Sequence, residues 1–284
     1  MIYEIKNENI SISADTFGAE LHSLKFNGIE YLWQCGDAWK RYAPILFPFI
    51  CSPKDKKYLV DGKEYMMKAN HGFARDMEFS FVRKTENEIA FELKDNDETM
   101  SQYPFKFRLE VAYQIYDDGV EVRNTVENTD DKPIYFYLGG HPAFNCPINN
   151  EGEFSDYYIE YEKSEKLNHQ NGMEVKELVD GRILPVSRSL FDYDSIIQPS
   201  PDSHIISLKS EKSEHAVILE FPQSDCITVW SATGNNDAEF ICLEPWTSVP
   251  TDFDNDEPEL SKKSHAVKLE SGKSFDYAYR IKLK

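Results

Sequence analysis

Two prolines in this sequence each follow a side chain that can move protons. His141 sits in YFYLGGHPAFNCP (135–147) and Glu244 in FICLEPW (240–246). A residue before proline is biased toward extended backbone, and the proline has no N–H to give a sheet ladder. Strand pairing is therefore expected to end beside both residues, at the rim of a β scaffold where loops build sites. An imidazole and a carboxylate suit general acid–base chemistry when their surroundings bring their pKa values near the working pH. Glu244 continues the face of Phe240 and Cys242, with Ile241 and Leu243 opposite. A carboxylate ending a run that is apolar on both faces is either partnered or partly desolvated, and desolvation makes it a better base. By the same count His141 shares the phase of Tyr135 and Tyr137, unless Gly139 and Gly140 form a bulge. Each residue also has a plainer reading: His141 as a hydrogen-bonded structural histidine, Glu244 as a salt-bridged strand end.

Other candidates are weaker taken singly. NHGFARD (70–76) offers His71 and Arg75 in a short loop, which a surface turn explains equally well. FDYDSI (191–196) offers Asp192 and Asp194, and acidic pairs in loops are commonly just solvated. His22, His169, His204, His215 and His265 have no partner motif and receive no role. The sequence has no GxSxG elbow, no P-loop, no GxGxxG after a strand and no HExxH. His71 and His141, about 70 residues apart, could join Asp194 or Glu244 around a metal, but metal-binding histidines usually come in tighter constellations, so no metal centre is expected. The five cysteines are odd in number, widely spaced and without a CxxC pair, which fits reduced thiols in a cytoplasmic protein.

The elements that must hold these side chains are strands. In FKFRLEVAYQI, Phe105, Phe107, Leu109, Val111, Tyr113 and Ile115 fall on one face, and Lys106, Arg108, Glu110 and Gln114 on the other. That alternation describes a strand covered on one side only, as in antiparallel sheets. DDG (117–119) supplies a turn before VEVRNTVEN resumes the period of two. DNDETMSQYP is the one stretch suited to a turn or two of helix. Many short strands with turn signals between them predict an all-β sandwich or barrel. No linker or repeat divides the 284 residues, so residues 1–284 read as a single domain. A net charge of −19 argues against nucleic acid as a partner. No run is long and apolar enough for a membrane helix, and the N-terminus has no signal-peptide pattern.

YAPILFPF, KYLVDGKEY, NHGFARD, GGHPAFNCP and CLEPW, in that order, resemble the aldose 1-epimerases (galactose mutarotases), in particular their shorter, LacX-type branch. The resemblance runs from about Tyr3 to Lys282. It implies a β-supersandwich of antiparallel sheets that binds a small sugar, as a monomer or homodimer, without cofactor or metal. It also implies that Glu244 is the catalytic base and His141 the catalytic acid, with His71 and Asp194 contacting the sugar. Asp192 competes with Asp194 for that place. One departure stands out. Relatives carry a glycine–arginine pair after LFP, where this chain has Cys51 and Ser52. Arg75 or Lys54 could take over substrate binding, or the substrate could differ. The implied reaction is interconversion of the α and β anomers of a free aldohexose. Three alternatives remain. Lys54, Lys56, Lys57 and Arg75 could form a cluster that selects sugar phosphates. Glu244 and Asp194 could be the two carboxylates of a glycoside hydrolase. Trp230 and Trp246 could stack on sugars in a non-catalytic binding protein, or simply pack in the core.

Overall fold

Alternation in the sequence becomes antiparallel pairing in space. The structure, a computed structural model, describes residues 1–167, 178–232, 234, 237–254 and 256–284; His169 lies outside them. Strands Phe107–Tyr116 and Gly119–Asn128 pair from Phe107↔Asn128 to Tyr116↔Gly119, which leaves Asp117 and Asp118 as the turn. Leu109, Val111, Tyr113 and Ile115 are buried together with Val120, Val122 and Val126. On the outer face Arg108 pairs with Glu92 at 2.6 Å and Glu127 at 2.8 Å. The predicted helical stretch forms one short α-helix, Asp97–Gln102, capped by the Asn96 side chain, which accepts from the backbone N–H groups of Glu98 and Thr99.

Among the described residues, this hairpin lies within a nine-stranded antiparallel sheet, and a six-stranded sheet carries the site. The second sheet contains Gly139–Gly140, Ala143–Asn145, Ile196–Pro199, Cys226–Trp230 and Phe240–Trp246. The inward side chains of both sheets, Val111 and Leu243 among them, belong to one buried cluster. A four-stranded sheet from residues 2–30 contributes Ile5, Ile12 and Leu24 to the same core. The architecture is therefore nearly all-β and antiparallel, as the alternation predicts.

The strand Phe240–Trp246 is buried along its whole length. Ile241 and Leu243 face the main core, while Phe240 and Cys242 join a smaller cluster with Trp39 and Trp230. The parity read for Glu244 is thus correct, but the expected end of pairing there is not. Pro245 still sits opposite Ile227, and Trp246 opposite Cys226. On the other edge Leu243 donates to the Pro142 carbonyl at 3.2 Å and Thr247 to the Leu138 carbonyl at 2.9 Å. Pro245 lies midway, so its missing N–H faces the stretch where the neighbouring chain is interrupted between Gly139–Gly140 and Ala143–Asn145. The proline removes no ladder bond in that position. At His141 the expectation does hold, because the residue occupies that interruption. Its shared phase with Tyr135 is lost, since Ile134–Phe136 pairs with Val267–Leu269 in a separate two-stranded sheet.

Candidate active site

The interruption at His141 and the side chain of Glu244 face the same space, a cavity of about 300 Å³. His71, Arg75, His141, Asp194 and Glu244 all line it, although the sequence scatters them over much of its length. Asp192 does not line it and is exposed. Of the two tryptophans considered for stacking, Trp230 and Trp246 both reach the wall, and Trp246 is also a core residue at 2% exposure.

His141 Nε2 lies 3.3 Å from Glu244 Oε2. The His141 side chain is 8% exposed and that of Glu244 2%. Burial pushes the Glu244 carboxyl well above the usual range and Asp194 adds to this, while Arg75 and the Trp246 indole pull the other way. Burial pushes His141 well below its usual value, helped by His71 and Arg75. Both effects favour the uncharged forms, a carboxylic acid beside a neutral imidazole. Moving that one proton to the imidazole gives the carboxylate–imidazolium form with the same net charge, so the two groups titrate as a pair. Such a pair can give a proton from one atom and take one at the other without a net change.

His71 stands on a tight backbone exchange with Cys51. Its N–H donates to the Cys51 carbonyl at 2.7 Å, and the Cys51 N–H donates to His71 Nδ1 at 3.1 Å. Because Nδ1 accepts, the neutral ring carries its hydrogen on Nε2. Burial, with Arg75 and Arg41 nearby, lowers the His71 pKa to about 3. At neutral pH His71 is therefore a fixed, uncharged donor.

Arg75 is held by its own loop: Nη2 donates to the Asn70 carbonyl at 2.8 Å. Burial first, and then Arg41, draw its pKa down to about 10, which leaves it charged at neutral pH. Asp194 accepts from the Trp230 indole N–H at 2.9 Å, and this fixes both the carboxylate and the aromatic wall. Ser52, where the resemblance leads us to expect an arginine, has a buried hydroxyl without a hydrogen-bond partner. The lysine cluster considered for a phosphate does not assemble at the cavity. Lys57 pairs with Glu64 at 3.0 Å, Lys56 donates to the Lys68 carbonyl at 3.3 Å, and neither they nor Lys54 line the wall.

Sequence reasoning missed Trp39, whose indole covers the His141 ring, and Thr228, which sits directly opposite Glu244 on the adjacent strand. An aromatic side chain in the polar loop CGDAWKRY was the only available signal for Trp39. The loop is anchored by Glu20, whose buried carboxylate accepts from the backbone N–H groups of Tyr42 at 2.8 Å and Ala43 at 2.9 Å. For a metal, the one grouping found among the described residues is His141, Cys242 and Glu244, all buried.

Comparison with known proteins identifies the family and the fold. A family model described as aldose 1-epimerase matches residues 1–282. The plasmid-borne protein LacX of Lactococcus lactis subsp. lactis is 29% identical over 289 aligned residues, covering 92% of this chain and 94% of the relative. A galactose mutarotase related enzyme from Lactobacillus acidophilus superposes with a TM-score of 0.91 at 29% identity, covering 100% of this chain and 97% of that one. A galactose mutarotase-like protein from Lactobacillus casei ATCC 334 gives 0.89 at 30% identity, with both chains covered at 100%. The chain thus belongs to the aldose 1-epimerase family and has the antiparallel β architecture of its galactose mutarotase-like structures.

Proposed function

We propose that this protein is an aldose 1-epimerase that interconverts the α and β anomers of a free aldohexose. The observation that carries the reading is the 3.3 Å approach of His141 Nε2 and Glu244 Oε2 on the wall of a cavity of about 300 Å³. That volume is at the lower end of the roughly 300–1,000 Å³ range of small-molecule sites, the scale of a single sugar. Opening a cyclic aldose requires a proton to leave the O1 hydroxyl and another to reach the ring oxygen. Those two oxygens are bonded to the same carbon, so the base and the acid must also be close neighbours.

With the shared proton on His141, Glu244 takes the O1 proton as the C1–O5 bond breaks and the C1 carbonyl forms. His141 delivers its proton to O5. The pair now has its proton on Glu244, and the open chain rotates about C1–C2. Closure on the other carbonyl face reverses both transfers and restores the starting pair. No proton has to come from bulk water. A general acid or base contributes about 10²–10⁴-fold. His71 supplies an uncharged donor, and Arg75 and Asp194 supply charged partners for sugar hydroxyls and oppose one another in sign.

The same balance supports a free sugar over a sugar phosphate. Arg75 alone of the four basic residues considered for a phosphate lines the cavity, and two carboxylates face the same space. The test is polarimetry on freshly dissolved α-anomers of several aldoses. Wild type is expected to accelerate at least one, and Glu244→Gln to lose that acceleration by about 10²-fold or more. Sugar binding by wild type without any acceleration would instead identify a binding protein.

A further inference from the structure

The proton-handling pair has a third buried neighbour that the mechanism does not use. Cys242 precedes Glu244 by two residues on the strand Phe240–Trp246 and points to the same side. One potential ligand atom from each of His141, Cys242 and Glu244 lies within 4.8 Å of the other two. Glu244 Oε2 and His141 Nδ1 are both buried without a hydrogen-bond partner, so this polar pair is not saturated by the protein around it.

These three residue types form a zinc ligand set. Zn²⁺ binds thiolate sulfur at about 2.3 Å and imidazole nitrogen or carboxylate oxygen at about 2.0–2.2 Å in a tetrahedron. Such bonds set donor atoms roughly 3.3–3.8 Å apart. His141 Nε2 and Glu244 Oε2 already have that separation at 3.3 Å, and Cys242 needs a shift of the order of an ångström to complete the triangle. His141 and Glu244 both line the cavity, so a metal between them would keep its fourth position open on that side, as three-ligand zinc sites do.

Charge also favours occupation. Binding one Zn²⁺ releases the Cys242 thiol proton and the proton shared by His141 and Glu244. What remains is one neutral imidazole, one carboxylate and one thiolate around a dication, with zero net charge. A neutral assembly avoids the large penalty of burying an uncompensated ion.

We propose that His141, Cys242 and Glu244 form an inhibitory zinc site, in which the metal ties up both groups that move protons in anomer exchange. The inhibitory half of this rests on the function proposed above, whereas the binding half does not. Since Cys242 does not line the cavity, removing its sulfur separates metal binding from catalysis.

The test uses the intact protein with ZnCl₂ as the probe, after chelator treatment. Calorimetry and metal analysis are expected to find one zinc per chain removable by chelator, and anomer exchange is expected to fall as that site fills. Loss of an outer-shell partner alone weakens metal binding about 10–100-fold. Cys242→Ala, which deletes a direct ligand, should keep its metal-free rate and need more than about 100-fold more zinc for inhibition. A second measurement does not depend on that variant folding: Co²⁺ added to wild type should show a thiolate-to-cobalt charge-transfer band. Absence of tight zinc binding in wild type, unchanged binding in Cys242→Ala, or a cobalt spectrum without the thiolate band would each overturn the site. If zinc and cobalt bind as expected but the metal-free protein accelerates no sugar, the metal site stands and the proposed activity fails.

Discussion

The Trp39 indole lies over the His141 imidazole, with ring centroids 4.9 Å apart and 23° between the planes. Trp230 and His71 each meet the same imidazole edge-on at 5.6 Å. Histidines in catalytic or metal sites are often oriented by a hydrogen bond at the second ring nitrogen. Here Nδ1 has no such partner, and aromatic packing sets the ring plane instead. An aromatic face also attracts a cation, by about 0.5–2 kcal/mol depending on exposure. The stack therefore supports the imidazolium form against the burial that opposes it.

Trp39 should for that reason be separable by chemistry from a merely structural residue. Trp39→Leu is expected to lower kcat for anomer exchange by about 2–30-fold, which is the cation–π energy converted at 1.36 kcal/mol per decade. The alkaline limb of the pH–rate profile should move to lower pH, because the pair gives up its proton more easily without the indole. Trp39→Phe keeps an aromatic face and should recover most of the rate. A Leu variant with the wild-type rate and profile would show that the stack has no influence on the proton.

The exchange between Cys51 and His71 predicts a single tautomer. With Nδ1 accepting from the Cys51 N–H, nitrogen-15 NMR should report the hydrogen on Nε2 and no protonation down to about pH 4, given a pKa lowered to about 3. His71→Phe removes the donor while keeping a ring. It should raise KM by about 5–10-fold, the worth of one hydrogen bond of about 1–1.4 kcal/mol, with a smaller change in kcat. A larger loss in kcat than in KM would place His71 among the groups acting on the transition state.

The same depressed pKa makes stability depend on acidity. A free imidazole titrates near 6.5, and folded His71 near 3. Between these values the unfolded chain takes up a proton that the folded chain does not, so the stability linked to His71 is full above 6.5 and is lost as the pH falls toward 3. One proton gives a slope of about 1.4 kcal/mol per pH unit. Urea unfolding at pH 7 and pH 5 should show wild type losing about 2 kcal/mol more than His71→Phe over that interval. Equal losses in the two proteins would mean that the ring is protonated in the fold.

What could be read in the sequence was whatever depends on a residue and its near neighbours. The alternation around Leu109 and Val122, the turn at Asp117 and Asp118, and the short helix before Tyr103 are local patterns, and each appears where it was expected. Glu244–Pro245 misled because the effect of a proline on a ladder depends on what lies across from it. Here that is a gap in another strand, roughly a hundred residues away in sequence, which no local pattern records. Asp192 and Asp194 could not be separated for a similar reason, since the Trp230 N–H that holds Asp194 comes from a different strand. Lys54, Lys56 and Lys57 suggested a basic cluster by adjacency, yet Lys57 pairs with Glu64, Lys56 donates to the Lys68 carbonyl, and none of the three lines the cavity.

Gly72 ties the His71 loop to the sheet and gives a prediction about the scaffold. Its φ is +73°, and a Cβ there would lie 2.1 Å from the Phe47 carbonyl oxygen and 2.3 Å from the carbonyl carbon. That carbonyl cannot move aside easily, because it accepts from Phe73 N at 3.0 Å and Ala74 N at 3.1 Å. Gly28 provides a control, with a φ of +84° and nothing within 4 Å of its Cβ position. Gly28→Ala carries only the left-handed backbone penalty of about 1–2 kcal/mol. Gly72→Ala carries that penalty and the clash with fixed backbone, so its total should exceed about 3 kcal/mol. Chemical denaturation of the two variants measures the difference. Anomer exchange assayed below both unfolding transitions should be slowed in Gly72→Ala alone, because only that substitution displaces His71 and Arg75 from the cavity wall. Matching losses of stability in the two variants would mean that the Phe47 carbonyl yields, and that the loop is less constrained than its hydrogen bonds imply.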